Sequence, residues 1–316
     1  MATMTLNERA MRLADYLAAN TATLRIAVHT VGEARIIDCG VKAVGGLQAG
    51  LGLARVCLAG LADVSLVPGE VAGVACPQIV VSSDAPLAAC IASQYAGWRI
   101  GVGKFFAMGS GPMRAAYGKE DFFRDIVESE KPPAAVGVLE SRKLPDEAVV
   151  DFVRTHLNLP AAKITLCVAP AASIAGAIQV VARSLETALH KLRELKFDLK
   201  QVVSGIGSAP LPPIASGELV AIGRTNDAIL YGGRDVLWVN ADDDQIITLG
   251  PKVPASASAD YGQPFAQIFE RYNHDFYKID PMLFSPAEIV FNNLKTGRSF
   301  SFGRPKPEVM LASFFG

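Results

Sequence analysis

The fold is best approached from one stretch, SIAGAIQVVARSLETALHKL at positions 173–192, which reads as a helix that is apolar nearly all round. Its apolar residues recur at steps of three and four and form one stripe: Ile174, Ile178, Val181, Leu185, Leu189 and Leu192. Ser173 is placed to cap the start of the helix. Small and apolar residues fill the other faces, which predicts a helix packed on several sides.

A second stripe on the same predicted helix is polar. It consists of residues spaced four, three and four apart: Gln179, Arg183, Glu186 and His190. Charges on such a helix are partly desolvated, so Arg183 and Glu186 become candidates for chemistry. An ordinary salt bridge, worth about 0.2–0.5 kcal/mol, is the commoner meaning of this spacing.

Length and composition favour a large two-lobed protein. A chain of 316 residues exceeds the size at which one core stops growing, and clefts between lobes often hold small ligands. Half of the residues are hydrophobic, which also suits an oligomer. The net charge of -1 gives no preference for nucleic acid or an anionic membrane. The most hydrophobic window, about 47–67, contains Gln48, Arg55 and Asp63 and fails as a membrane span.

Cysteines and histidines give no sign of a metal site. The five cysteines are scattered and odd in number, which favours a reducing compartment over a disulfide framework. The four histidines are dispersed, without a compact ligand spacing. The amino terminus lacks a basic region followed by a hydrophobic core, so a cytoplasmic location is predicted.

The order of predicted elements indicates an α+β fold with mixed sheets and helices. The main predictions are helices at 6–19, 45–61 and 146–157, a hairpin at 25–39, strands at 135–139 and 163–168, and several strands at 219–249. The prolines at 132 and 133 interrupt regular structure. We place the lobe boundary near 131–160.

The glycine-rich segment GVGKFFAMGSGPMR at 101–114 suits an anion site. Closely spaced glycines, Gly111 among them, let backbone N–H groups converge, while Lys104, Arg114 and the Ser110 hydroxyl supply charge and hydrogen bonds. The segment is neither a Walker A loop nor a dinucleotide-binding turn. A plain turn-rich connection remains equally open.

The segment GRTNDAILYGG at 223–233 carries a second polar cluster, placed here before an apolar strand. Asn226 and Asp227 suit the amide-like edge of a heterocycle, because binding groups often lie on loops. An Asx turn at the start of the strand is the commoner explanation.

Four blocks, in this order, resemble the methenyltetrahydromethanopterin cyclohydrolase family. They are GVGKFFAMGSGPMR at 101–114, ASIAG at 172–176 with ARSLETALHKL at 182–192, GRTNDAILYGG at 223–233, and DFYKIDPMLFSPA at 275–287. The resemblance spans nearly the whole chain. It departs at Met113, where a small residue is expected, and at Ala171, where a threonine is expected.

The resemblance implies a cytoplasmic hydrolase of one-carbon metabolism that interconverts the 5,10-methenyl and N5-formyl forms of tetrahydromethanopterin. It implies an α+β subunit of two lobes around a central pocket, with exchange of segments between the lobes allowed. It also implies assembly as a homotrimer, without metal or redox cofactor. The family's catalytic arginine and glutamate fall on Arg183 and Glu186. The expected substrate-binding residues are Lys104, Ser110, Gly111, Arg114, Asn226, Asp227 and Tyr231.

Two other classes of protein stay open at this point. One is a nucleotide- or phosphate-dependent transferase that uses the 101–114 segment as its phosphate site. The other is a pterin-binding protein without catalytic activity. ATP binding would favour the first, and a pterin spectrum that does not change with time would favour the second.

Overall fold

The computed structural model describes residues 4–316, in which helices and strands are interspersed along the chain. The strands are β1 (Ala27–Val31), β2 (Ala34–Asp38), β3 (Asp63–Val67), β4 (Glu70–Val71), β5 (Val74–Ala75), β6 (Gln78–Ser83), β7 (Trp98–Val102), β8 (Phe105–Ser110), β9 (Ala135–Glu140), β10 (Ile164–Ala169), β11 (Val202–Pro210), β12 (Arg234–Val239), β13 (Glu288–Asn293) and β14 (Ser299–Gly303). The helices are α1 (Leu6–Ala19), α2 (Thr21–Leu24), α3 (Leu47–Cys57), α4 (Met113–Tyr117), α5 (Phe122–Asp125), α6 (Glu147–Leu157), α7 (Ile174–Val181), α8 (Ser184–Glu194), α9 (Glu218–Gly232), α10 (Asp243–Leu249), α11 (Phe265–Arg271) and α12 (Pro307–Phe315). A π-helix covers Leu87–Gln94.

The chain forms two compact units, each built from two segments. The first unit joins Met1–Ala62 with Ala88–Gln179, and the second joins Asp63–Leu87 with Val180–Gly316. Residues 131–160, where the sequence places the lobe boundary, lie within the first unit, and the chain leaves that unit after Gln179.

The first unit contains a mixed six-stranded sheet in the order β1-β2-β10-β9-β8-β7. The central strands β2, β10 and β9 run parallel, and the outer pairs are antiparallel. All six residues of β10 are buried, as expected of a parallel strand covered on both faces.

Helices cover both faces of this sheet. On one face, Val149, Val150 and Val153 of α6 join a core cluster with alternate residues of the sheet strands. On the other face, α1 and α3 contribute a second cluster that includes Leu17 and Leu53. The start of α1 is well defined, because Thr5 and Glu8 form a capping box there.

The second unit contains another mixed six-stranded sheet, in the order β14-β13-β12-β11-β6-β3. Only β12 and β13 are parallel. Strands β3 and β6 come from the short segment 63–87, so this segment is built into the second sheet. Helix α8 packs on β11 and β12, and α9 packs on β11, α11 and α12.

Most of the predicted elements are confirmed, including α1, the β1–β2 hairpin, α3, β9, α6 and β10. The α+β class with mixed sheets is confirmed as well. Within residues 4–316, no helix has the length and apolar composition that crossing a bilayer requires.

The prediction of several strands at 219–249 is wrong except at β12, because the range begins with helix α9 and ends with helix α10. The buried residues of α9 include Ala221, Thr225 and Ala228, at steps of four and three, which is the spacing of a helix face. Small and hydroxyl side chains carry this periodicity, so it is invisible in a pattern of large apolar residues. The segment 223–233 is therefore a helix and not a loop before a strand.

Candidate active site

The predicted site residues are divided between the two units. Lys104, Ser110, Gly111 and Arg114 belong to the first unit. Arg183, Glu186, Asn226, Asp227 and Tyr231 belong to the second.

Arg183 and Glu186 form a buried ion pair at the start of α8. Arg183 is 8% exposed and Glu186 is 4% exposed, which confirms that this stretch is packed on several sides. The Nη1 of Arg183 lies 3.9 Å from Oε2 of Glu186. This separation exceeds that of a direct charge-assisted hydrogen bond, about 2.7–2.9 Å. The two groups therefore attract each other as charges, without a direct hydrogen bond between these two atoms. Glu186 lies in the first turn, where the helix dipole also favours a negative charge.

The prediction of one continuous helix over 173–192 is wrong, because the chain breaks between α7 and α8. Arg183 occupies the position before α8, with φ -92° and ψ 4°, outside regular helix geometry. The break spans only two residues, and the spacing of apolar residues in the sequence continues across it from Val181 to Leu185, so apolar periodicity cannot reveal it. Gln179 lies on α7 in the first unit, and so does not share one helix face with Glu186.

His190, one turn after Glu186, lies at the edge of the same stripe. Its Nε2 is 4.0 Å from Oε1 of Glu194. Burial lowers the pKa of His190, against the opposing effect of Glu194. The neutral imidazole is therefore favoured at pH 7.

Lys191 connects α8 to the fourth sequence block. Its buried ammonium group donates a hydrogen bond to the carbonyl oxygen of Met282. Burial lowers the pKa of Lys191 to about 8, and the nearby carboxylate of Asp280 acts in the opposite direction. The resemblance block at 275–287 is thus fixed to the helix that carries Glu186.

The segment 101–114 is a hairpin followed by a short helix, and not the single loop predicted. Strands β7 and β8 pair from Trp98 to Gly109, and Lys104 lies exposed in the tight turn between them. Ser110 is buried at the far end of β8, where its Oγ donates to the carbonyl oxygen of Val138 over 3.2 Å. Ser110 lies six positions after Lys104 along an extended strand, a distance of about 20 Å, so the two residues do not form one anion cradle.

Arg114 and Gly111 have internal roles in the first unit. Arg114 is fully buried and binds the carboxylate of Glu120 with two of its nitrogens. Its Nη1 donates to the carbonyl oxygens of Ile91 and Ser93, over 3.0 and 3.3 Å. Gly111 has φ +83°, and its N–H also donates to Ser93, over 2.8 Å. Substrate binding by Ser110, Gly111 and Arg114 stays a prediction.

Met113, the first departure from the family pattern, is part of the core of the first unit. Its side chain packs over Gly109 and Gly137, where an added Cβ would collide with it. The missing side chains of these glycines thus make room for a large residue at 113. The second departure, Ala171, is also buried.

Asn226, Asp227 and Tyr231 lie on α9. The Asn226 side chain donates to the carbonyl oxygen of Ile222, one turn earlier, over 2.8 Å. Asp227 Oδ1 accepts the N–H of Phe265 over 2.8 Å. The Tyr231 hydroxyl donates to the carbonyl oxygen of Gln263, and burial raises the pKa of Tyr231. Asp227 and Tyr231 thus hold residues 262–265 against α9, and substrate binding by the three residues stays a prediction.

Asp227→Asn is expected to remove part of the pH dependence of stability. Burial raises the pKa of Asp227 from 3.8 to about 7, so the native state binds the extra proton between these pH values. Native stability from this group is full below about pH 4 and falls as the pH rises to about 7. Asparagine stays neutral at every pH. The unfolding free energy of the variant should therefore rise relative to that of the wild type as the pH increases over that range, by an amount on the order of a few kcal/mol.

Urea unfolding at pH 4.5, 6 and 7.5 measures this difference. Asp244→Asn is the matched control, because Asp244 is an exposed carboxylate of the same unit. A constant difference between Asp227→Asn and wild type at all three pH values would contradict the prediction.

Sequence reasoning missed a buried contact beside the ion pair. Ser184 Oγ donates to Asp235 Oδ1 over 2.7 Å. The sequence pattern that could have revealed this contact is the alternation of buried and more exposed residues in β12. In that pattern Asp235 lies on the same buried face as Leu237 and Val239. A carboxyl group in a row of buried apolar residues is costly, and so marks a special position.

Thiols and metal-binding side chains are dispersed. All five cysteines are buried free thiols, and burial raises the pKa of Cys167 to about 12. In the part of the chain that the structure describes, no three or more His, Cys, Asp or Glu side chains are grouped as metal ligands.

Known proteins resemble this chain over almost all of its length. A family model described as "Cyclohydrolase (MCH)" matches residues 5–314. A methenyltetrahydromethanopterin cyclohydrolase of Rhodopirellula baltica is 47% identical, over 90% of this chain and 87% of its own length. Proteins of the same name from Methylobacillus flagellatus and Methanosarcina barkeri are 42% and 43% identical, over 98% and 89% of this chain and 94% and 88% of their own lengths. With a family match from residue 5 to residue 314 and relatives this similar, the chain belongs to the methenyltetrahydromethanopterin cyclohydrolase family.

Proposed function

We propose that this protein reversibly hydrolyses 5,10-methenyltetrahydromethanopterin to the N5-formyl form. The observation that carries the proposal is the buried Arg183–Glu186 pair, in a chain that matches the family throughout. A water-activating carboxylate beside a cation is the kind of group that hydrolysis of an amidinium carbon requires. Membership of the family supports the choice of substrate.

The reaction needs a base and then an acid. The substrate is a delocalised cation whose bridging carbon joins N5 and N10. Water adds to that carbon while Glu186 takes one of its protons. The bond to N10 then breaks as Glu186 returns this proton to N10, and the remaining hydroxyl loses its proton to solvent as the formyl C=O forms. Cation and water thus give the neutral formyl product and one proton.

Arg183 supports Glu186 in this scheme. At 3.9 Å, its guanidinium stabilises the negative charge that Glu186 carries before water attack. The N–H groups of Arg183 also suit the oxygen of the adding water, where negative charge develops. The negative carboxylate in turn favours the cationic substrate. No step is assigned to a metal or redox cofactor.

We further propose that the protein acts in the cytoplasm as a homotrimer. We also propose that Lys104 is the most accessible of the predicted substrate-binding groups. The resemblance to the family supports the trimer and the location. Exposure of the Lys104 side chain in the β7–β8 turn supports its availability to ligand. Light scattering of the purified protein measures the oligomeric state.

The activity is tested by following the ultraviolet absorbance of the methenyl chromophore. With purified protein and no added nucleotide or metal, we expect absorbance to fall far faster than in buffer alone, with N5-formyl product identified by chromatography. Glu186→Gln protein at the same concentration is the matched control. A spectrum that stays at the buffer rate despite pterin binding would overturn the proposal and favour a non-catalytic binding protein.

A further inference from the structure

Asp235 is a buried carboxyl group in an apolar row. It is the second residue of β12, only 1% exposed, on the face that also carries Leu237 and Val239. Burial raises its pKa to about 8, with the Ser184 hydrogen bond acting in the opposite direction. Placing a polar group in such a position is unfavourable, and an apolar residue there would often be as stable or more so. A carboxyl group at position 235 is therefore expected to have a specific role.

Ser184 is the hydrogen-bond partner of this carboxyl group. Its Oγ donates to Asp235 Oδ1 over 2.7 Å, across 51 residues of sequence. Ser184 is itself 1% exposed and is the first residue of α8. The other oxygen, Oδ2, has no hydrogen-bond partner among residues 4–316. The hydroxyl of Ser184 is thus the contact through which Asp235 acts.

Two glycines of β11 let the start of α8 come this close. A Cβ added to Gly207 would lie 2.5 Å from Asp235 Oδ1 and 2.9 Å from the backbone nitrogen of Leu185. A Cβ on Gly205 would lie 2.7 Å from the Leu185 side chain. Glycine inside a strand often marks such a close approach of backbone. The first turn of α8 therefore sits directly on the sheet, beside Asp235.

The same turn carries the ion pair. Arg183 directly precedes Ser184, and Glu186 follows two residues later. Among residues 4–316, no side chain makes a capping hydrogen bond at the start of α8. Thr187 Oγ1 donates to the carbonyl oxygen of Ser184 over 2.7 Å, which adds a second bond at this residue. Ser184 is thus the point at which the turn is fixed to the sheet.

We propose that Ser184 and Asp235 form a positioning pair, which holds the first turn of α8 on the sheet so that Arg183 and Glu186 keep one orientation. The anchoring rests on the contacts alone, and its effect on catalysis rests on the proposed function. Displacing a catalytic group by about 1 Å can lower a rate by about 100-fold. Loss of the anchor therefore lowers kcat more than it changes KM.

Four variants test the pair: Ser184→Ala, Asp235→Ala, Asp235→Asn and the control Ser208→Ala. Ser208 Oγ donates to the carbonyl oxygen of Arg234, so the control removes a hydroxyl between the same two strands, away from α8. We expect Ser184→Ala and Asp235→Ala to lower kcat by about tenfold or more, with KM within about twofold. Asparagine keeps an acceptor for Ser184, so Asp235→Asn should recover most of the kcat lost in Asp235→Ala.

Hydrogen exchange gives a readout that does not depend on activity. The amides of α8 near its start should exchange faster in Ser184→Ala and Asp235→Ala than in wild type, and no faster in Ser208→Ala. Folded Ser184→Ala protein with wild-type kcat would overturn the proposal, whether or not exchange increases. Failure of the wild type to consume the methenyl substrate would instead overturn the proposed function, and exchange would still decide whether the anchor exists.

Discussion

Replacing Glu186 with glutamine is expected to lower kcat by about 10²–10⁴-fold, the usual contribution of a general acid–base group. Glutamine has nearly the same shape, so it keeps the packing of a side chain that is 4% exposed. It cannot take a proton from water or return one to N10, so both halves of the proposed reaction are affected. Steady-state loss of methenyl absorbance measures the change.

Glu186→Gln is also expected to affect KM, because the negative charge of Glu186 favours the cationic substrate. Loss of the negative charge should also weaken binding of the cationic substrate, so KM should not fall. Glu194→Gln is the matched control, because Glu194 lies on the same helix but 32% exposed, near His190 and Arg193. Turnover near the wild-type level in folded Glu186→Gln protein would remove Glu186 from the mechanism.

Elements with strong local signals could be predicted from the sequence. The strands β9 and β10 are short apolar runs, and α6 between them is amphipathic and capped by Asp146, whose side chain accepts the N–H of Val149. Helix α9 could not be predicted, because its buried positions up to Ala228 carry only small or polar residues. Its large buried residues, at 229–231, are consecutive and show no helical spacing. The break at Arg183 could not be predicted either, because the spacing of apolar residues continues across it in the sequence.

The Arg183–Glu186 ion pair was predictable from the sequence, but the Ser184–Asp235 hydrogen bond beside it was not. Arg183 and Glu186 are three residues apart, so local spacing brings them together. Asp235 contacts Ser184 across 51 residues, where the start of α8 packs on β12. The 101–114 hairpin shows the opposite limit, because Lys104 and Ser110 are close in sequence but far apart in space: Lys104 lies in the turn before β8, and Ser110 ends that strand.

Replacing Arg183 with glutamine is expected to lower kcat by about 10²–10³-fold, the usual cost of removing one group that stabilises developing negative charge. Glutamine cannot supply the positive charge that lies 3.9 Å from Glu186. KM should stay level or fall, because loss of a positive charge removes a repulsion of the cationic substrate. Arg183→Lys keeps the charge without the planar fork and should retain more activity than Arg183→Gln.

The double variant Arg183→Gln/Glu186→Gln decides whether the two residues act together. If Arg183 works through Glu186 and the water that Glu186 activates, the double variant should be little slower than Glu186→Gln alone, because groups that act as one unit are far from additive. Arg193→Gln is the control, since Arg193 lies on the same helix near Glu194. Fully multiplicative losses would contradict joint action, and wild-type kcat in Arg183→Gln would reduce Arg183 to an ordinary partner in a buried ion pair.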